Sequence, residues 1–190
     1  MKRIIKTVLT LVLVFILFFG TWFITERLRA PEESLHTIYK KNITPCMNYW
    51  TTDPNFTDTN SHQAMAMRLY DAGEFALALE AFQQFEPAQE EEALYNLYIG
   101  ICYLKSDFDN LAITHLLQSV ELFTSFDRIQ LSKWYLALAY LKAGMEKDAT
   151  KILEEIVEVN APQKSQAKAI IREIDYSSNP IKGLMMVFSD

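Results

Sequence analysis

The chain has 190 residues, half of them apolar, and a net charge of −6, which is enough for one compact domain and an anchoring segment but not for two independent domains. Five glycines and six prolines are too few for a disordered or collagenous chain, and the acidic balance argues against nucleic acid as the main partner. The two cysteines, Cys46 and Cys102, make no disulfide framework and stand in no metal-ligand spacing.

Residues 1–30 read as a signal anchor. From Thr7 to Ile24 the run TVLTLVLVFILFFGTWFI carries no charge; as a helix rising ~1.5 Å per residue it would span ~27 Å, close to the hydrocarbon thickness of a bilayer. Lys2, Arg3 and Lys6 precede the run, while Trp22 and Phe23 near its end suit a membrane interface. It runs into Glu26 and Arg27 without a small-x-small cleavage site. The expectation is a single-pass membrane protein, N-terminus cytoplasmic, with the rest of the chain periplasmic or otherwise extracytoplasmic.

Residues 31–59 read as a tether that is partly docked. A short helical stretch from Pro31 to Lys41 is followed by NITPCMNYWTTDPNFTDT, rich in Asn, Thr, Asp and Pro and without a sustained period. Tyr39, Met47, Tyr49, Trp50 and Phe56 are nevertheless more apolar than a free linker needs. Part of the segment is therefore expected to pack on the first helix that follows.

From residue 60 the period is helical, in blocks at about 60–72, 75–85, 88–105, 109–122, 128–143, 146–159 and 162–175. Six blocks form three helix pairs, at about 60–87, 88–124 and 126–160. Ala78, Ala112 and Ala149 recur in the second helices at spacings of 34 and 37 residues, and Ala66, Gly100 and Ala137 recur in the first. Leu69, Tyr103 and Tyr140 follow the first set, and Phe82, Leu116 and Leu153 the second. Where antiparallel helices cross closely only Gly or Ala fits, and a large side chain one turn away fills the flanking space. Gly73, Asp107 and Gly144 sit where each first helix must stop in a left-handed cap.

These residues resemble the tetratricopeptide repeat (TPR) family, whose W-x2-L-G-x2-Y, A-x3-F and P pattern repeats every 34 residues. The resemblance covers about residues 59–160 and is carried by Ile99, Gly100, Tyr103, Ala112 and Leu116 in the middle unit and by Leu136, Ala137, Tyr140, Gly144, Ala149 and Leu153 in the last. It departs at Met65 and Ala66, at Pro87, at Trp134 and in three extra residues between Leu122 and Arg128. The implied fold is all-α: an N-terminal transmembrane helix, then a short TPR-like α-α superhelix of three hairpins, with a capping helix at 161–175. Ala167, Ile170, Ile171 and Ile174 lie on one side of that last helix. The apolar tail 176–190, with Leu184 to Phe188, either folds back into a groove, which is the favoured expectation, or meets a partner. The membrane-anchored layout also resembles bacterial cell-envelope TPR proteins.

For catalysis the sequence is thin. His36, His62 and His115 are far apart, Cys102 falls on a buried helix, and Glu90 to Glu92 read as a solvated helix start. No phosphate loop, nucleophile elbow or HExxH occurs. No enzyme activity, catalytic residue, metal, cofactor or small-molecule substrate is expected.

In the family that the chain resembles, the first helices line a concave binding side. The corresponding positions are Gln63, Met67 and Tyr70, then Leu97, Ile101 and Leu104, then Trp134, Leu138 and Leu141. None is Lys, Arg or Asn, so a carboxylate clamp is not expected and an apolar peptide or helix is the better ligand. The expected function is a non-enzymatic, membrane-anchored adaptor or scaffold that holds a peptide or helix of another envelope or membrane protein. The alternative is a structural subunit of a larger membrane complex, its groove filled internally or by a permanent partner.

Overall fold

The structure, a computed structural model, describes residues 12–22, 34–53, 56–58 and 61–178. The chain divides into two compact units, Met1–Ser34 and Leu35–Asp190.

In the first unit residues 12–22 are helical, with the Phe15 and Phe19 rings 4.3 Å apart one turn from each other. Among the described residues no helix is long and apolar enough to cross a membrane. The described part of the run, 12–22, accounts for a rise of ~16 Å, against a ~30 Å hydrocarbon core. This overturns the expected transmembrane helix at 7–24, and with it the single-pass placement with a cytoplasmic N-terminus. An uncharged run shows that a segment is apolar, whereas spanning needs one continuous helix of sufficient length. Residues 7–11, 23 and 24 of that run lie outside the described residues, as does the tail from 179 onward.

All regular structure in the second unit's described residues is helical. It comprises α1 (35–42 in this unit, the helix opening at residue 34), α2 (His62–Asp71), α3 (Phe75–Phe82), a 3-10 turn (Gln89–Glu91), α4 (Glu92–Lys105), α5 (Asp109–Leu122), α6 (Phe126–Lys142), α7 (Glu146–Glu158) and α8 (Lys164–Ser178). From α2 onward each helix packs on the next in sequence, and α4 also touches α6. The core therefore runs along a row of hairpins, α2–α3, α4–α5 and α6–α7, with α8 against α7.

Small residues set the crossings. Ala66, Ala78, Ala112, Ala137 and Ala149 are all completely buried. A Cβ added to Gly100 would lie 2.7 Å from Leu116 Cγ and 3.3 Å from the Leu116 amide nitrogen, so α4 and α5 approach as closely as their backbones allow. Phe82, Leu116 and Leu153, one turn beyond the second-helix alanines, fill the space beside them.

The three hairpin turns share one geometry. Gly73, Asp107 and Gly144 have φ of 79°, 64° and 74°, and in each the next residue donates back to the first helix: Glu74 N to Leu69 O, Phe108 N to Tyr103 O, Met145 N to Tyr140 O. This bond closes a Schellman cap. Asn160, at φ 55°, closes α7 in the same way, with Ala161 N donating to Ile156 O. The longer last spacing accompanies longer helices on both sides of the connection: α5 has 14 residues where α3 has 8, and α6 has 17 where α4 has 14.

Candidate functional site

The nine residues expected to line a groove do come from α2, α4 and α6, but they are not open to a ligand. Met67, Tyr70, Leu97, Ile101, Leu104, Trp134, Leu138 and Leu141 are buried; Gln63 alone is half-exposed, its Nε2 donating to Glu91 Oε1 at 3.2 Å. Residues 35–51 account for this covering.

The covering segment begins with α1, whose Leu35, Ile38 and Tyr39 are buried. Tyr39 Oη donates to the Leu104 carbonyl at 3.2 Å, and Asn42 Nδ2 caps the helix by donating to Ile38 O. Beyond it the chain runs without regular structure from residue 43 to 49. It is held by one tyrosine from each hairpin's first helix. Tyr135 Oη of α6 donates to Thr44 O at 2.6 Å, Tyr70 Oη of α2 to Cys46 O at 3.0 Å, and Tyr98 Oη of α4 to Met47 O at 3.0 Å. Tyr98 Oη also accepts from the Tyr49 amide at 2.7 Å. A chain with no repeating partner of its own thus has its backbone groups satisfied by side chains of the helices beneath it.

The end of the segment is fixed by Asn48 and Trp50. Asn48 Oδ1 accepts from the amides of Trp50 and Thr51, and its Nδ2 donates to Asp71 Oδ2 of α2 at 2.8 Å; the Thr52 hydroxyl donates to Asn48 O. This side-chain-closed turn swings Trp50 inward. Its ring stacks between Tyr98 and Phe82, with centroids at 6.0 and 6.4 Å, and its Nε1 donates to Glu91 Oε1 at 2.7 Å. Above the loop, Arg128 lies 3.8 Å from the Tyr49 ring centroid.

Burial keeps the tyrosines neutral, because the phenolate would lose its water. It raises the Tyr70, Tyr98 and Tyr135 hydroxyls far above the usual phenol range and Tyr39 to about 12, where Asp109 and Asp107 add to the effect. The same cause lifts the Cys46 thiol to about 11; its Sγ lies 3.5 Å from Tyr70 Oη. Cys102 is raised as well. Thiols held in the neutral form are poor nucleophiles.

The histidines do not converge. His115 Nδ1 lies 2.8 Å from Asn96 Oδ1, its ring stacks on Tyr103 at 5.4 Å, and burial lowers its pKa. His36 stands beside Tyr39, and His62 opens α2. Among the described residues no group of three or more His, Cys, Asp or Glu is placed to hold a metal ion. Clefts of about 420 and 410 Å³ flank the docked segment, one beside Trp50 and Glu91, the other beside Thr44 and Tyr135. A third, of about 550 Å³, lies between α7 and α8.

Tyr98 and Tyr135, which do much of the holding, were not among the expected site residues. Both lie two positions before the aligned small residue of their helix, Gly100 or Ala137, so they share a register that the repeat alignment exposes. The first hairpin has Ala64 there, and Tyr70, six residues further along α2, supplies the hydroxyl instead. No protein-family model matches the chain, and no curated protein or solved structure matches it either.

Proposed function

We propose that this chain is a non-enzymatic protein-interaction module of three TPR-like hairpins and a closing helix, acting as a structural subunit whose groove is filled by its own residues 35–51. The observation that carries this reading is the set of Tyr70, Tyr98 and Tyr135 hydroxyls, one per hairpin, bonded to the backbone of residues 44–49. A receptor awaiting a peptide leaves such donors to water; here they are spent within the chain. Eight of the nine groove residues are buried, and the segment is bonded to all three first helices, so a partner meets the remaining surface of the module. Capture of an apolar peptide in the groove, as an adaptor would do it, requires residues 35–51 to leave first.

The test is native-state hydrogen exchange at the Tyr49 amide, measured on the chain alone and in the complex that it forms with a co-purifying protein. Slow exchange in both supports a permanently filled groove. Exchange that becomes fast only in the complex means that the partner displaces the segment, and the groove is then a receptor.

A further inference from the structure

The edge formed by α7 and α8 carries a pattern that the groove does not involve. Across the 550 Å³ cleft between these helices, Glu154 and Glu158 of α7 face Lys168 and Arg172 of α8, with Val157 and Ile171 half-buried on its floor. All four charged residues are exposed, and no ion pair closes between the two rows. One turn along, the signs exchange on both helices, to Lys151 on α7 and Asp175 on α8.

The geometry points to a docking surface for a second copy of this chain. Consecutive helices α7 and α8 run antiparallel, so a two-fold axis along the cleft lays α7 of one copy over α8 of the other at the same height. Glu154 and Glu158 then face the other copy's Lys168 and Arg172, and Lys151 faces Asp175, each twice by symmetry. The apolar floors meet in the centre, and the four helices alternate in direction as in an antiparallel bundle. A two-fold axis across the helices would set like charge on like charge and is disfavoured. A patch two helices wide is small, so the dimer is weak, reversible and sensitive to salt. This inference does not depend on how the first-helix groove is used.

The test uses the full chain, mixed as ¹⁴N and ¹⁵N protein and treated with a zero-length carbodiimide cross-linker in non-ionic detergent. The expected product is a mixed-isotope cross-link between Glu154 or Glu158 and Lys168. The charge reversals also remove a reacting group of the cross-link, so they are read by sedimentation: Glu154→Lys with Glu158→Lys, or Lys168→Glu with Arg172→Glu, should each lower the dimer fraction by about tenfold or more, and mixing the two variants should restore it by pairing unlike rows. All substituted residues are exposed, so folding, read by circular dichroism, should be unchanged. Cross-links confined to one chain, a dimer fraction indifferent to the reversals, or failure of the mixture to restore it overturns the proposal.

Discussion

Lys142 Nζ lies 2.6 Å from Asp107 Oδ1, joining the end of α6 to the turn that closes the neighbouring hairpin. The same ammonium donates to the Leu104 carbonyl at 2.6 Å and lies 3.1 Å from Asp109 Oδ1. Only 5% of the Lys142 side chain is exposed, against 87% for Asp107. The two partners should therefore respond differently to substitution. Lys142→Met strips a carbonyl and a carboxylate of their donor at once and should lower the unfolding free energy by about 1–3 kcal/mol. Asp107→Gly relieves a left-handed non-glycine residue while losing an ion pair already screened by water, so it should stay within about 1 kcal/mol of the parent. Urea unfolding of both variants checks the ranking, and equal losses would contradict it.

Gly100→Ala tests the closest crossing. Alanine is the better helix former by about 1 kcal/mol, yet its Cβ would press on Leu116 at a depth where neither helix backbone can withdraw. Overpacking of this kind costs about 1–3 kcal/mol, so the variant should be less stable overall. The larger insult Ala112→Trp should unfold the middle hairpin. Ile101→Asp should do the same by placing a charge in a fully buried site, although Ile101 was expected to face a ligand. Retention of native circular dichroism by Ile101→Asp would mean that the segment over it can lift away.

The hairpins were legible because their rule is local and repeated. A small residue, a left-handed turn seven positions later and another small residue five beyond that recur at Ala66–Gly73–Ala78, Gly100–Asp107–Ala112 and Ala137–Gly144–Ala149. Asp107 shows the limit of that code, since a glycine position is filled by a residue pinned in place by a lysine 35 positions away. The docking of residues 35–51 was legible only in part. Trp50 and Tyr39 announce burial by their size, but Tyr70, Tyr98 and Tyr135 bind backbone carbonyls, and a carbonyl acceptor leaves no mark on the sequence that supplies it. The sequence leaves open whether the groove is free or covered, because helical periodicity says which face a side chain occupies and not what lies over that face. At the N-terminus, similarly, an uncharged run records composition, and among the described residues no helix is long and apolar enough to cross a membrane.

Tyr98→Phe removes one oxygen that serves two backbone groups, the Met47 carbonyl and the Tyr49 amide. The ring can keep its stack on Trp50, so the loss isolates the hydrogen bonds and should cost about 1–3 kcal/mol. Exchange at the Tyr49 amide should quicken in this variant. Met47→Ala is the control: that side chain is 70% exposed, and its truncation should leave both stability and exchange unchanged. Equal effects from the two would remove Tyr98 from its assigned role.

His115 makes stability fall on mild acidification. Burial depresses its folded pKa below the ordinary 6.5, so the neutral ring is the one that fits beside Asn96 and Tyr103. A depressed pKa leaves its stability contribution intact above 6.5 and removes it as the pH falls through the folded value. Unfolding free energies measured from pH 7.5 down to about 5 should therefore decline in the parent chain and stay flatter in His115→Gln. A parallel decline in both would place the titration elsewhere.

Cys46 gives the opposite limb. Its thiol is raised from 9.0 to about 11, chiefly by the burial it has within the docked segment, and a raised acid is neutral in the folded chain where the unfolded chain already ionises. The contribution is complete below pH 9 and is lost as the pH rises toward 11, so the melting temperature should drop across that interval. The same shift predicts slow alkylation at pH 8, because the thiolate is scarce and covered. Undocking of residues 35–51 would remove both obstacles together, which makes Cys46 a reporter of the segment. Tyr98→Phe combined with Tyr135→Phe should speed its reaction with iodoacetamide, while Cys102, inside α4, remains unlabelled until the hairpins unfold. Rapid alkylation of Cys46 in the parent chain would show that the segment is not held over the first helices in solution.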